Sequence, residues 1–198
     1  AVDALGADRV HCVMMPSPYT SNDSLEDAAA ACGMLGARLD SIGIGPAMKA
    51  FEEMLSGTFE GTETDTTEEN IQARSRGITL MAISNKLGYM VLSTGNKSEM
   101  SVGYATLYGD MCGGYSVLKD VYKTTVFELS RWRNENKPGG VLGPDGPVMP
   151  MRIITKPPSA ELKPDQTDQD TLPDYAELDD ILHCLIEQEM SRHDIAAR

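Results

Sequence analysis

The chain has 198 residues, of which 41% are hydrophobic and 24% are charged, a composition typical of one soluble globular domain. Its 30 acidic residues outnumber 17 basic ones and give a formal net charge of −13, which argues against nucleic acid and anionic membranes as partners. The same charge repels nucleotide phosphates, so a nucleotide site in this chain must gather its own cationic side chains.

The four cysteines of the chain are widely separated. They are Cys12, Cys32, Cys112 and Cys184, and no two of them form a CxxC pair. This spacing is not that of a disulfide framework or a zinc site, so we expect reduced thiols. With no apolar run of membrane-spanning length, we expect a soluble protein of the cytoplasm.

The N-terminal part of the chain predicts a strand followed by a helix. Residues 10–15, VHCVMM, are nearly all apolar and predict a strand that is covered on both faces. The loop PSPYTSND follows at 16–23, which in a doubly wound sheet lies at the edge where ligands bind. Ser24 and Asp27 then resemble the capping pair of the next helix.

A long helix is predicted from Thr66 to Leu87, ended by Gly88. Its predicted buried face carries Ile71, Ile78, Met81 and Ala82. Asn70 and Arg74 lie four residues apart on a different face, where an amide and a guanidinium could bind the ribose or phosphate of a dinucleotide. The alternative is a solvated polar face, which is the commoner use of such a pair.

The central stretch, residues 91–120, carries the strongest signs of a ligand site. An apolar strand breaks at STGN (93–96) into the start of a helix, and such a junction presents backbone N–H groups that favour anions. Glu99 follows one turn later, where a carboxylate could hold a divalent metal beside a phosphate. Lys119 is a point charge suited to phosphate. From spacing alone, an ordinary strand, loop and helix is an equally good interpretation.

The remainder of the chain alternates helices with extended segments. Asp120 is predicted to cap a helix that runs to about Arg133, and a loop rich in glycine and proline follows at 134–150. Prolines then extend the segment at 156–170. Strands that alternate with helices predict an α/β fold in which a parallel sheet forms the middle of three layers.

Five sequence blocks resemble the synthetase domain of the NAD synthetase family, in its glutamine-dependent bacterial type. They are TEENIQAR (67–74), STGNKSE (93–99), GYATLYGDM (103–111), LKDVYKT (118–124) and KPPSAELKPDQTDQD (156–170). The blocks keep their order and spacing, and the resemblance covers nearly all 198 residues. Five concurrent blocks are far more specific than any single glycine motif.

The resemblance implies the Rossmann-like, adenine-nucleotide α-hydrolase fold of the N-type ATP pyrophosphatases. It also implies a ligase that uses ATP and Mg²⁺ to adenylate the nicotinate carboxylate of deamido-NAD, with release of pyrophosphate. Ammonia then displaces AMP and leaves the amide of NAD. The ammonia is either free or supplied from glutamine by a glutaminase domain, and family members are homodimers or higher homo-oligomers.

The resemblance also assigns individual residues. ATP contacts fall on Thr94, Lys119 and Ser159. Deamido-NAD contacts fall on Asn70, Arg74, Glu99, Tyr104, Ala105, Thr106 and Leu107. Glu99 is in addition the implied Mg²⁺ ligand. No protein nucleophile is required, which agrees with the lack of a Ser–His–Asp or Cys–His set in the sequence.

Two family features are absent, and they keep other interpretations open. The SGGxDS phosphate loop, whose natural place is just before Ala1, and a lysine near the C-terminus are not in this sequence. Residues 1–198 are therefore expected to be a piece of the synthetase domain, with little or no activity alone. The alternatives are another amidotransferase of the N-type ATP pyrophosphatases, or a nucleotide-binding fragment without catalysis.

Overall fold

The structure is a computed structural model that describes residues 1–198. Nine α-helices and four short β-strands make up the fold. The helices are α1 (Val2–Leu5), α2 (Asn22–Leu35), α3 (Gly45–Leu55), α4 (Thr66–Leu87), α5 (Lys97–Val102), α6 (Lys123–Glu135), α7 (Met151–Thr155), α8 (Tyr175–Ile186) and α9 (Arg192–Ala196). The strands are β1 (His11–Met14), β2 (Arg38–Ser41), β3 (Leu92–Ser93) and β4 (Tyr115–Ser116). No helix is both long enough and apolar enough to cross a membrane.

The strands form two parallel pairs. β1 pairs with β2, with His11 opposite Arg38, and α2 is the crossover between them. β3 pairs with β4, with Leu92 opposite Tyr115. The parallel α/β arrangement predicted from the sequence is therefore present, although hydrogen bonds join the strands as two pairs and not as one continuous sheet.

Helix α2 begins three residues earlier than the predicted capping pair. Ser21 is its N-cap, and the Ser21 hydroxyl accepts a hydrogen bond from the Ser24 amide at 3.2 Å. The prediction that Ser24 and Asp27 form the cap was wrong, because Asp27 is buried and accepts a hydrogen bond from Arg152 Nε at 2.9 Å. Ser21 and Ser24 are chemically equivalent as caps, so local sequence could not separate them.

Helix α4 has the predicted length but a different buried face. It begins with a capping box between Asp65 and Glu68 and ends at Gly88, whose φ is 72°. The predicted apolar face was wrong, since Ile78 is 64% exposed and Met81 is 37% exposed. The buried residues of this helix are instead small or polar: Gln72, Ala73, Ser75 and Gly77.

The close approach of a neighbouring turn explains why small residues form the buried face of α4. A Cβ atom on Gly77 would lie 2.7 Å from the carbonyl oxygen of Tyr108, and one on Gly109 would lie 3.0 Å from the Cβ atom of Ala73. Only small residues permit such contact between a helix and a backbone turn. The turn at 104–110 is therefore packed directly on α4.

Helix α6 starts later than predicted and is not capped by Asp120. Its N-cap is Tyr122, which makes no capping hydrogen bond with its side chain. Asp120 is exposed and forms an ion pair with Lys97 at 3.0 Å. The amide of Thr124, the second residue of α6, donates to a carboxylate from elsewhere in the chain, that of Asp179 on α8.

A small apolar core and several polar anchors hold the C-terminal half together. Tyr175, Leu178 and Leu182 of α8 form the core cluster, with Tyr122 and Leu172 packed against it. The long loop after α6 is anchored by two polar residues of that helix: the Arg133 guanidinium donates to Pro144 O, and the Asn134 side-chain oxygen accepts from Val148 N. All four cysteines are free thiols.

Candidate functional site

A cavity of about 770 Å³ lies where five helices meet the proline-rich segment 156–168. Its wall is made by the first two turns of α2 and α4, by Glu99 of α5 and the turn that follows that helix, by the start of α6, by Ile153 of α7, and by that segment. A volume of this size is typical of ligand sites. The cavity is therefore the candidate site.

Most of the residues proposed from the sequence line this cavity. Six of the ten do so: Asn70, Glu99, Tyr104, Ala105, Thr106 and Ser159. The structure places the other four outside its wall: Arg74, Thr94, Leu107 and Lys119. All four are exposed to solvent.

Arg74 and Leu107 lie outside the wall and are joined to each other by a hydrogen bond. Arg74 Nε donates a hydrogen bond to the carbonyl oxygen of Leu107 at 3.2 Å. One turn earlier on α4, Asn70 Oδ1 accepts a hydrogen bond from Thr106 Oγ1 at 3.0 Å. The face of α4 that carries these two polar residues thus fixes the turn that presents Tyr104, Ala105 and Thr106 to the cavity.

Three of the backbone amides at the start of α5 are bonded within the protein. Asn96 caps the helix by accepting from the Glu99 amide at 3.0 Å, and the Asn96 amide donates to Glu99 Oε2 at 3.2 Å. The Lys97 amide donates to Val121 O at 2.9 Å. These three amides are already bonded within the protein and are not free for an anion. For the remaining amides of the junction, the anion-binding group stays a prediction.

Lys123 is a site residue that the sequence interpretation missed. Its ammonium group lies 2.9 Å from Glu99 Oε1 and over the rings of Tyr175 and Phe127, at 5.2 and 5.8 Å from their centroids. Lys123 lines the cavity, whereas Lys119 does not. Both lysines belong to the block LKDVYKT. The sequence feature that could have distinguished them is that Lys123 begins a helix.

A second lysine, Lys156, joins the proline-rich segment to the start of α2. Lys156 Nζ lies 3.1 Å from Glu161 Oε1, which also accepts hydrogen bonds from the hydroxyls of Ser21 and Ser24, both at 2.7 Å. Burial raises the pKa of the Glu161 carboxyl, but hydrogen bonds from the two serines and Lys156 outweigh burial and hold that pKa below its ordinary value of 4.5.

Two tyrosines surround a buried carboxylate on the far side of the cavity. Asp168 is 3% exposed, and its Oδ2 accepts a hydrogen bond from the Tyr175 hydroxyl at 2.7 Å. Burial raises the pKa of Tyr104 and of Tyr175, and the neighbouring Asp168 adds to the rise in both. Both hydroxyls therefore stay protonated. The Tyr175 hydroxyl donates to Asp168, whereas the Tyr104 hydroxyl is buried without a hydrogen-bond partner.

The cavity wall has an excess of negative charge. Its carboxylates are Asp27, Glu69, Glu99, Asp110, Glu161 and Asp168, against two ammonium groups, Lys123 and Lys156. Each of these lysines is already paired with a carboxylate. A polyanionic ligand would therefore need a cation to accompany it.

The donor set fits a magnesium ion that arrives with a nucleotide. No group of three His, Cys, Asp or Glu side chains converges to hold a metal by itself. Mg²⁺ is commonly bound by one or two carboxylates together with the phosphates of a substrate, and Glu99 supplies one such carboxylate on the cavity wall.

Comparison with known proteins gives consistent similarities. The family model described as NAD synthase matches residues 1–198. The glutamine-dependent NAD(+) synthetase of Rhodobacter capsulatus is 57% identical over 197 residues, which are 100% of this chain and 36% of the relative. The chain thus spans about a third of the length of the curated relatives that it matches.

Solved structures agree with the sequence comparison. A glutamine-dependent NAD+ synthetase from Acinetobacter baumannii, in complex with ADP, has a TM-score of 0.74 and 48% identity, covering 100% of this chain and 34% of that chain. An NMN synthetase from Francisella tularensis has a TM-score of 0.73 and 29% identity, covering 87% and 65%. These likenesses confirm the predicted α/β fold class of Rossmann-like, adenine-nucleotide α-hydrolase type.

Proposed function

Because this chain belongs to the NAD synthase family, we propose that its protein makes NAD from deamido-NAD, ATP and ammonia. The nicotinate carboxylate attacks the α-phosphorus of ATP, and pyrophosphate leaves. Ammonia then attacks the carbonyl carbon of the adenylate, and AMP leaves with the carboxylate oxygen as the amide forms. The observation that carries this proposal is the cavity in which Glu99 and Lys123 face the polar residues Asn70 and Thr106.

The triphosphate of ATP would bind at the Lys123 end of the cavity. The lysine ammonium group would neutralise phosphate charge. The hydroxyl of Ser159 donates to the Gln166 carbonyl oxygen in this structure and would turn to donate to a phosphate oxygen. Mg²⁺ held at Glu99 would supply further positive charge to the triphosphate. Of the other ATP contacts inferred from the sequence, Thr94 and Lys119 would need to reach the phosphates from outside the cavity wall.

Deamido-NAD would bind along the turn that α4 supports. Asn70 and the segment from Tyr104 to Thr106 line the cavity, where Asn70 supplies an amide and Thr106 a hydroxyl, while the Tyr104 hydroxyl is buried in the wall. Arg74 and Leu107 would act by holding this turn in position. All these residues bind and orient; the nucleophiles of both steps belong to the substrates, so none of them is required to form a covalent bond.

We extend the proposal to the partners of the protein. Residues 1–198 would belong to the synthetase domain, and ammonia would be free or would come from glutamine through a glutaminase domain of the full protein. The protein would act as a homo-oligomer in the cytoplasm. The length of the relatives, about three times that of this chain, supports the presence of a further domain in those relatives.

A substrate panel tests the reaction. The protein at its natural length is incubated with ATP, Mg²⁺ and ammonium or glutamine, and with either deamido-NAD or nicotinate mononucleotide. We expect NAD, AMP and pyrophosphate in equal amounts from deamido-NAD. Turnover of nicotinate mononucleotide alone would replace the proposal with the reaction named for the F. tularensis relative, and no pyrophosphate from either substrate would overturn it.

A pair of lysine variants tests the assignment of the phosphate ligand. We expect Lys123→Ala to raise KM for ATP by about tenfold or more, since a charge-assisted hydrogen bond contributes about 1.5–3 kcal/mol. The matched variant Lys119→Ala removes the same charge from an exposed position and should leave KM nearly unchanged. The reverse result would return the role to Lys119.

A further inference from the structure

A buried carboxylate outside the cavity connects the two helices that carry its charged pair. Asp179 lies on α8 and is 6% exposed. Its Oδ2 accepts hydrogen bonds from the Thr124 amide at 2.9 Å and from the Thr124 hydroxyl at 2.7 Å, and its Oδ1 accepts one from the Ser98 hydroxyl. One side chain of α8 therefore binds both α5 and the first turn of α6.

Ser98 completes this network. It is fully buried, and its oxygen accepts a hydrogen bond from the Lys123 amide at 2.9 Å. The Lys123 amide thus donates to Ser98, and Ser98 donates to Asp179. Because Tyr122, the N-cap of α6, offers no side-chain acceptor, Ser98 and Asp179 together bind the first two amides of the helix.

The partners of Asp179 are direct neighbours of the cavity pair. Ser98 precedes Glu99 and Thr124 follows Lys123, so one residue of each pair faces α8 while the other faces the cavity. The Lys123–Glu99 pair, 2.9 Å apart, thus lies beside the point at which Asp179 joins α5 to α6. A negative charge at the N-terminus of α6 is also favoured by the helix dipole.

We propose that Asp179 is a positioning residue, which fixes Lys123 and Glu99 at the spacing needed to receive the phosphates and metal of the nucleotide. The part of this inference that concerns nucleotide binding rests on the proposed function. Its geometric content, that Asp179 determines where the Lys123 side chain lies, can be tested without any substrate.

Chemical labelling tests the geometry. Lysines are acetylated briefly in the substrate-free protein at its natural length, and the modification of Lys123 is measured by mass spectrometry relative to exposed Lys119. In the native protein the ion pair and an exposed fraction of 18% protect the Lys123 side chain. We expect its relative labelling to rise about tenfold in Asp179→Ala, because the helix start loses its anchor.

Three further variants separate positioning from general loss of structure. Ser98→Ala removes the hydroxyl that links the Lys123 amide to Asp179, while alanine occupies nearly the same space. It should give the same rise in Lys123 labelling. Asp179→Asn keeps an acceptor for Thr124, and its relative labelling of Lys123 should lie between that of Asp179→Ala and that of the native protein. Asp180→Ala, at an exposed neighbouring position on α8, should leave Lys123 protected.

Steady-state kinetics test the consequence for catalysis. In Ser98→Ala and Asp179→Ala we expect KM for ATP to rise by about tenfold or more, since displacement of a positioned group by about 1 Å can cost that much. KM for deamido-NAD should change far less. A variant that only reduced the folded fraction would lower kcat and leave both KM values unchanged.

Lysine labelling separates failure of the positioning role from failure of the proposed function. Unchanged labelling of Lys123 in both Asp179→Ala and Ser98→Ala would overturn the inference. An equal rise at Lys156, which belongs to a separate ion pair, would show general unfolding and would overturn it as well. Altered labelling of Lys123 alone in a protein without synthetase activity would support the geometric role while the proposed function fails.

Discussion

Glu161 accepts hydrogen bonds from both sides of the gap between the proline-rich segment and α2. It binds the hydroxyls of Ser21 and Ser24 and the ammonium group of Lys156. Its backbone has a φ of 50°, in the left-handed region that costs a residue other than glycine about 1–3 kcal/mol. The hydrogen bonds of the side chain offset that cost and close one wall of the cavity.

The stability provided by Glu161 should depend on pH. The folded-state pKa is lowered from 4.5, so the contribution is complete above that value and is lost as pH falls through the lowered pKa. We expect Glu161→Gln to reduce the free energy of unfolding at neutral pH, with a difference from the native protein that shrinks at pH values below 4.5.

Urea unfolding across this pH range measures the effect. Glu60→Gln is the matched control, because Glu60 is exposed and its variant should change stability little at any pH. A constant difference between Glu161→Gln and the native protein down to strongly acidic pH would contradict the interpretation.

At the scale of elements, the contact between α4 and the turn at 104–110 shapes the part of the cavity wall that Tyr104, Ala105 and Thr106 form. Small residues on both sides, Ala73, Gly77 and Gly109, let the backbones approach closely. The Cys112 thiol donates a weak hydrogen bond to the carbonyl oxygen of Gly77, at 3.7 Å. Packing of this kind tolerates little added volume.

Substitution of two helical glycines by alanine should change the free energy of unfolding in opposite directions. In Gly77→Ala the new Cβ atom meets Tyr108 O at 2.7 Å and Gly109 O at 3.0 Å, so we expect a loss of about 1–3 kcal/mol from overpacking. Gly33 of α2 has no neighbouring atom within 4 Å, and Gly33→Ala should gain about 0.5–1 kcal/mol from reduced chain entropy.

Thermal and urea unfolding of the two variants check this prediction. Gly77→Ala should also weaken binding of deamido-NAD, because Thr106 and Tyr104 move with the turn, whereas Gly33→Ala should bind it as the native protein does. Equal stabilisation by both substitutions would show that the turn is free to move away from α4.

At the scale of the whole molecule, negative charge extends from the surface into the cavity. The net charge of −13 is accompanied by a cavity wall with six carboxylates and two paired lysines. Such a field opposes ATP at long range and at contact. Binding of the nucleotide should therefore depend on its accompanying cation more strongly than in a basic protein.

Removal of Mg²⁺ should accordingly weaken ATP binding. We expect the affinity measured by calorimetry to fall by about tenfold or more when EDTA replaces Mg²⁺, because one or two uncompensated charges at close range contribute about 1–4 kcal/mol. Adenosine is the control, since it carries no phosphate and its affinity should not change. Equal ATP affinity with and without Mg²⁺ would contradict the proposed role of Glu99.

The sequence by itself determined the features that depend on neighbours along the chain. The family blocks, the apolar run of β1 and the end of α4 at Gly88 are of this kind. Each depends on residues a few positions apart, because helix capping, chain termination and apolar runs are local interactions. Six of the ten site residues that the family blocks implied line the cavity.

Only the tertiary structure decided which side chains meet. It selected Lys123 and not Lys119 for the cavity, buried the small face of α4, and brought Asp179 to the start of α6. Ser98 and Lys123 are 25 residues apart, and Thr124 and Asp179 are 55 apart. Contacts at such separations arise from the packing of whole helices, and no local pattern encodes them.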